Sequence, residues 1–157
     1  MDNEGGTSME WMLMPLRRYA EFSGRSRRKE FWMFALGVML VYMACGLLML
    51  GGGLASSFQT AGTVPPAFTP VFWLGAGLLG IVALGLLVPS VAVTVRRLHD
   101  RDMSGWWYPG FVLIGLIPYV GFLGNIAFLV LMCLPGTPGP NRFGTDPKNP
   151  PSYEAFA

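Results

Sequence analysis

Residues 31–54 read FWMFALGVMLVYMACGLLMLGGGL and contain no Asp, Glu, Lys or Arg. The charge-free stretch continues to Val95 through a second apolar run at residues 71–95, and a third run occupies residues 106–134. A helix of about 20 apolar residues crosses a hydrocarbon core of roughly 30 Å. The sequence therefore predicts an all-α integral membrane protein with apolar spans at about 31–54, 71–95 and 106–134.

The composition favours the same class of protein. Of the 157 residues, 52% are hydrophobic and 13% are charged, whereas a soluble globular domain carries roughly 25% charged residues. So few charges cannot cover two long uncharged stretches in water. We predict a disordered N-terminus at 1–8, a single membrane domain at 9–134 and an exposed tail, rich in Pro and Gly, at 135–157.

The third apolar run leaves two alternatives open. Pro118 and Gly121 lie in its middle, and both residue types interrupt helices. One tilted and kinked span is favoured by a small margin, since two half-spans would be short for full crossings. A hairpin would instead give a four-helix bundle. A single span places the tail outside the cell, and a hairpin places it inside.

The segment before the first span has the pattern of a helix lying in the membrane interface. Trp11, Leu16 and Tyr19 recur at helical spacing within residues 9–22, while Arg17 and Arg18 face elsewhere. Tryptophan is enriched at the boundary between membrane and water. We predict as interfacial anchors the residues Trp11, Trp32, Trp106 and Trp107.

Lys and Arg are distributed unevenly, and this distribution predicts orientation. Basic residues precede the first span and follow the second, whereas the loop at 55–70 has none. By the positive-inside rule the N-terminus and both basic segments are cytoplasmic. Lys and Arg near an anionic leaflet attract lipid headgroups. The predicted lipid- or partner-binding residues are Arg25, Arg27, Arg28, Lys29, Arg96, Arg97, His99, Asp100 and Arg101.

Three polar stretches resemble a known family. FSGRSRRKEFWMF (22–34), VRRLHDRDMSGWW (95–107) and PGTPGPNRFGTDP (135–147) are similar to the signature segments of the YhaH-like bacterial inner-membrane proteins, catalogued as domain of unknown function 805. The resemblance covers roughly residues 9–148, with a small departure at residues 101–103. It implies a bacterial inner-membrane location and no settled biochemical activity.

His99 and Asp100 are the best candidates for catalysis, but the pattern favours a structural role. The chain has one histidine, and no second ligand lies at metal-binding spacing, so we predict no metal and no cofactor. Adjacent residues also point in different directions. Asp100 is expected to pair with Arg96 or Arg97, or to cap the turn before the third run.

Small residues in the second span permit close helix packing in lipid, and one amide in the third run can form a hydrogen bond between helices. The predicted packing residues are Gly75, Ala76, Gly77, Gly80, Gly85 and Asn125.

The tail contains turn-forming residues at most positions. Asn141 and Asp146 can bond their own backbone, Gly144 permits positive φ, and Arg142 supplies a charge. It lacks the Gly-Lys-Ser/Thr arrangement of a phosphate-binding loop. A rigid docking element and a plain exposed tail are both open interpretations.

These patterns favour a non-enzymatic module of the bacterial inner membrane that assembles through helix packing. Its cytoplasmic basic face would engage anionic lipid or a partner protein, either in a homo-oligomer or in a membrane complex. One alternative is a subunit of a small oligomeric channel or transporter, although no ionisable residue lies within the spans. Another is a lipid-headgroup enzyme that uses His99 and Asp100. No nucleic-acid role is predicted.

Overall fold

The computed structural model describes residues 7–59 and 70–148. Five helices occupy these residues, with no strand among them: α1 (Ser8–Arg17), α2 (Arg28–Gln59), α3 (Pro70–His99), α4 (Trp107–Gly115) and α5 (Val120–Cys133). The chain divides into two compact units. The first comprises Met1–Phe34 and Pro89–Ala157, and the second comprises Ala35–Val88.

Helix α1 begins with a capping box. The Thr7 side chain accepts a hydrogen bond from the Glu10 N–H at 3.4 Å, and the Glu10 carboxylate accepts one from the Thr7 N–H at 2.8 Å. Two of the unpaired N–H groups at the helix start are thereby satisfied. Ser8, placed in the predicted disordered segment, is therefore helical, and α1 ends at Arg17 rather than at residue 22. Residues 1–6 lie outside the described part of the chain.

Helices α2 and α3 are both long and apolar enough to cross a membrane. The qualifying segments, Arg28–Ala55 and Pro70–His99, have mean hydropathies of 2.3 and 2.5. Large apolar side chains on them are exposed, including Leu50 at 64%, Leu74 at 66% and Ile81 at 72%. Because soluble proteins rarely expose such continuous apolar surface, lipid is the solvent that suits these helices. Helix α2 extends to Gln59, and residues 60–69 of the predicted loop lie outside the described residues.

Within the second unit, two glycines bring helix backbones together. A Cβ at Gly52 would lie 2.9 Å from the Phe72 backbone nitrogen, and one at Gly75 would lie 3.1 Å from the Met49 backbone nitrogen. Only small residues fit at such contacts. Gly75 lies at such a close contact, whereas a Cβ at Gly77, Gly80 or Gly85 would meet no atom within 4 Å.

The third apolar run forms two helices, α4 and α5, rather than the one continuous kinked helix that was favoured. Helices α4 and α5 have nine and 14 residues, which correspond to about 14 Å and about 21 Å. Residues 116–119 connect them, and Tyr119 there has a φ of +63°. A Cβ at Gly121 would lie 2.5 Å from the Gly115 carbonyl oxygen, so the two helices contact each other at their backbones. This arrangement agrees with the hairpin alternative. The four-helix bundle and the number of membrane crossings stay predictions.

Candidate functional site

Three polar segments that are distant in sequence meet within the first unit. They are residues 25–30, the end of α3 at residues 96–101, and residues 132–147 at and after the end of α5. Two arginines and one carboxylate, Arg25, Arg97 and Asp100, connect all three segments. We call these three residues the arginine clamp.

Arg25 holds Asp100 and the tail at the same time. Its Nε donates to Asp100 Oδ1 at 3.0 Å, and its NH2 lies 2.9 Å from the same oxygen. The remaining donors reach the tail, where NH1 bonds the Gly139 carbonyl and NH2 bonds the Thr137 carbonyl, both at 2.6 Å. A planar guanidinium with five N–H groups suits such divided binding.

Arg97 caps the end of α5. Its NH1 donates to Asp100 Oδ2, while its Nε and NH2 donate to the Met132 carbonyl at 3.4 and 3.3 Å, and NH2 also bonds the Leu134 carbonyl. The last carbonyls of a helix lack partners within the helix, and the helix dipole favours cations there. Since α5 has no basic residue in its own last turn, Arg97 supplies that charge.

The clamp is almost completely buried. The side chains of Arg25, Arg97 and Asp100 are 2%, 0% and 7% exposed. Burying charges is costly unless they are paired and their remaining donors are bonded. Here one carboxylate serves two guanidinium groups, and backbone carbonyls accept the other N–H groups. The arrangement therefore fixes the tail and the end of α5 against the segment before α2 and the end of α3.

Arg96 forms a second buried pair, with a residue that the sequence did not single out. Its NH2 lies 3.2 Å from Glu30 Oε1, and the two side chains are 0% and 4% exposed. Its Nε and NH1 have no hydrogen-bond partner among the described residues. Of the two arginines predicted as partners of Asp100, Arg97 pairs with it and Arg96 pairs with Glu30 instead. The sequence position of Glu30 could have identified it, since this carboxylate lies in the first turn of an apolar helix, directly after a run of basic residues.

His99 holds the tail through its ring and its backbone. The ring stacks on Phe143 with a centroid distance of 3.9 Å and an interplanar angle of 4°, and Nδ1 lies 3.3 Å from the Gly24 carbonyl. The His99 carbonyl accepts a hydrogen bond from Asn141 Nδ2 at 2.9 Å. These contacts support the structural role of His99.

The tail turns are stabilised by side chain to backbone bonds. Asn141 Oδ1 accepts the Phe143 N–H and Asp146 Oδ1 accepts the Lys148 N–H, both at 2.9 Å. The Lys148 bond, together with one from the Gly139 N–H, lowers the pKa of Asp146 below its ordinary value because both favour the charged carboxylate.

The other two tail residues also take part. Gly144, with a φ of +138°, pairs its backbone with Asn141, and Arg142 forms an exposed ion pair with Asp102 at 3.2 Å. Residues 135–148 are thus bonded to the rest of the first unit. Residues 149–157 lie outside the described residues.

The structure separates the predicted lipid- or partner-binding residues by accessibility. Arg25, Arg96, Arg97 and Asp100 are buried, and the first unit uses their charges internally. Two half-buried arginines also bond carbonyls, Arg28 to Cys133 at 3.2 Å and Arg101 to Pro135 at 2.5 Å. Arg27 bonds the Pro147 carbonyl at 2.6 Å, and Lys29 is exposed. Binding of lipid or a partner by the basic face stays a proposal. It depends on those cations that are exposed.

The predicted anchors differ in their exposure. Trp32, Trp106 and Trp107 are 37%, 83% and 56% exposed, whereas Trp11 is 5% exposed. Trp11 packs within the protein, where Lys29 Nζ lies 5.3 Å and Arg27 Cζ lies 5.9 Å from its ring centroid.

Asn125 is exposed on α5, and its Oδ1 would lie 3.8 Å from a Cβ at Gly115. Within residues 7–59 and 70–148, no group of three or more His, Cys, Asp or Glu side chains could hold a metal ion.

Two long apolar helices with exposed apolar surface, and charges at the start of α2 and the end of α3, are typical of an α-helical membrane protein. A family model described as protein of unknown function, DUF805, matches residues 19–145, and the chain belongs to this family. This match confirms the resemblance seen in the three polar stretches.

Relatives from Escherichia coli (strain K12) are similar over most of the chain. "Inner membrane protein YhaH" is 43% identical over 147 residues, which cover 91% of this chain and 100% of the relative. "Inner membrane protein YhaI" is 36% identical over 140 residues, which cover 89% of this chain and 97% of the relative. No solved structure matches the chain significantly.

Proposed function

We propose that this chain is a non-enzymatic module of the bacterial inner membrane, with its N-terminus in the cytoplasm. Its exposed cytoplasmic cations engage anionic lipid or a partner protein. The observation that carries the proposal is the placement of charge on α2 and α3. Arg28, Lys29 and Glu30 open α2, Arg96 and Arg97 lie near the end of α3, and no charge lies between Phe31 and Val95.

The arginine clamp supports the placement of the tail on the same side as these charges. Arg97 bonds the carbonyls at the end of α5, and α4 begins at Trp107, eight residues after the end of α3. Both ends of the α4–α5 hairpin therefore meet the polar segments. In a membrane, the hairpin enters the bilayer from the cytoplasmic side and returns, because an exposed apolar turn such as Leu116 at 75% suits hydrocarbon.

Assembly through helix packing rests on the second unit. Gly52 and Gly75 show that small residues here bring helix backbones into contact, and the open positions at Gly77 and Gly80 offer further close approach. A second copy or another membrane protein would use that surface of α3.

Lipid retained during purification tests the proposal. The full-length protein is extracted from native membranes in mild detergent, and its bound lipids are compared with the bulk membrane. We expect phosphatidylglycerol and other anionic lipids to be enriched, or a partner protein to be retained in fixed ratio. A bound lipid mixture identical to the bulk, with no retained partner, would contradict the proposal.

A further inference from the structure

Four cations that lie outside the arginine clamp line one cavity of the first unit. This cavity has a volume of about 290 Å³ and is lined by Trp11, Arg27, Arg28, Lys29 and Lys148. Four of its five lining residues are cationic and none carries a carboxylate. We propose that this cavity binds the phosphate group of an anionic membrane lipid. This inference rests on the proposed function, since it names the ligand class of the same basic face.

The cavity lies at the N-terminus of α2, where positively charged side chains are unusual. Arg28 and Lys29 are the first two residues of the 32-residue helix α2. The N-terminus of a helix carries a partial positive charge and unpaired N–H groups, so cations there are unfavourable and anions are favoured. Glu30, the acidic residue of this first turn, is buried and paired with Arg96. A bound anion would offset the positive charge that remains.

Three of the four lining cations, Arg27, Arg28 and Lys29, are held in place although they repel one another. The Trp11 ring lies within cation–π distance of Arg27 and Lys29, and Trp11 itself is buried within α1. Arg27 is further fixed by the Pro147 carbonyl and Arg28 by the Cys133 carbonyl. The cavity is therefore preorganised, and it brings Lys148 of the tail to the basic segment before the first span.

The ammonium groups of Lys29 and Lys148 have N–H donors available for a ligand. Within residues 7–59 and 70–148, neither the Lys29 nor the Lys148 ammonium forms a hydrogen bond or an ion pair. Each supplies three N–H groups, which match phosphate oxygens. The volume is at the lower end of ligand pockets and suits a headgroup phosphate rather than a large ligand.

The neighbouring sequence favours a lipid as the source of this phosphate. Phe31, two residues after Lys29, begins the apolar stretch of α2, and helix α1, whose Trp11 ring contacts Lys29, exposes the apolar residues Leu13 and Leu16. A phosphate at this level can belong to a lipid whose acyl chains continue along the apolar helices.

The test compares two variants that remove the same charge. The double variant Lys29→Gln/Lys148→Gln removes the two lysines, and Arg17→Gln/Arg142→Gln removes two exposed cations that do not line the cavity. Arg27 and Arg28 are left intact because they bond carbonyls near the tail. Full-length proteins in nanodiscs at about 0.15 M salt are titrated with phosphatidylglycerol in a phosphatidylcholine background, and bound lipid is counted by native mass spectrometry.

We expect the lysine variant to bind phosphatidylglycerol at least about tenfold more weakly than wild type, and the arginine variant to change by less than about threefold. Equal losses in both variants would overturn the cavity while leaving general attraction to anionic lipid, and hence the proposed function, intact. No preference of the wild type for phosphatidylglycerol over phosphatidylcholine would overturn both the cavity and the engagement of anionic lipid in the proposed function. Displacement of the lipid by millimolar inorganic phosphate would assign the cavity to a soluble phosphate and overturn the lipid source. Circular dichroism spectra of both variants establish that they are folded.

Discussion

Arg25 donates from Nε to Asp100 Oδ1 at 3.0 Å, although the two residues are 75 positions apart in sequence. Arg97 reaches the other oxygen of the same carboxylate, and both arginines bond carbonyls of the segment after α5. A single buried carboxylate thus connects the start of α2, the end of α3 and the tail. The consequences of this connection can be measured.

Replacing Asp100 by Asn should strongly destabilise the first unit. The change leaves two buried guanidinium groups without a counter-charge, and breaking a buried pair costs about 3–5 kcal/mol. Unfolding of the detergent-solubilised protein by sodium dodecyl sulfate measures the loss in the free energy of unfolding.

Asp102→Asn is the matched control for this change. Asp102 pairs with Arg142 at 3.2 Å, but their side chains are 47% and 60% exposed, so the loss should be at most about 1 kcal/mol. Similar small losses for both substitutions would show that the clamp is not an important source of stability.

Replacing Gly121 by Ala should disrupt the contact between α4 and α5. The new Cβ would lie 2.5 Å from the Gly115 carbonyl oxygen, and because this is a backbone atom the helices themselves must move apart. Overpacking of this kind costs about 1–3 kcal/mol. The same unfolding assay measures it.

Gly110→Ala in α4 serves as its control, since a Cβ there meets no atom within 4 Å. That substitution should be neutral or should stabilise α4 by up to about 1 kcal/mol, because alanine loses less conformational freedom in a helix than glycine. If Gly121→Ala behaved in the same way, the close helix contact would not exist.

The sequence predicted the features that depend on local composition. Two apolar helices, their basic ends and the self-bonded turns at Asn141 and Asp146 follow from residue types and their spacing. The capping box of Thr7 and Glu10 was missed because residues 1–8 were predicted to be disordered, although the two residues lie only three positions apart.

The features that sequence reasoning could not decide depend on distant contacts. Pro118 permits a kink or a break, and the choice depends on the packing of α4 on α5, where the rings of Tyr108 and Phe128, 20 positions apart in sequence, have centroids 6.3 Å apart. The basic residues posed a similar difficulty. Arg25 and Lys29 look alike in sequence, but one is buried against Asp100 and the other is exposed.

The tail should loosen in acid, and Asp146 should be responsible. Its pKa lies below the ordinary value of 3.8 because the Lys148 and Gly139 N–H groups bond the charged form. The stabilisation is therefore complete well above pH 3.8 and is lost as the pH falls through the lowered pKa. Hydrogen exchange at the Gly139 and Lys148 amides, measured between about pH 5 and pH 2, should show a progressive loss of protection.

Asp146→Asn isolates this contribution because an amide does not titrate in this range. The variant should lose the pH dependence at these two amides while other carboxylates continue to titrate. An identical pH profile in the variant and the wild type would assign the effect to another group.

We propose that the clamp and the α4–α5 hairpin keep the tail on the cytoplasmic side with the N-terminus. Alkaline phosphatase, which is active only outside the cytoplasm, tests this when fused after Pro150 and, in a separate fusion protein, after Thr63, within the stretch 55–70 that lacks Lys and Arg. We predict an inactive enzyme after Pro150 and an active one after Thr63. High activity after Pro150, at a level equal to that after Thr63, would contradict the claim, because the third apolar run would then cross the membrane once.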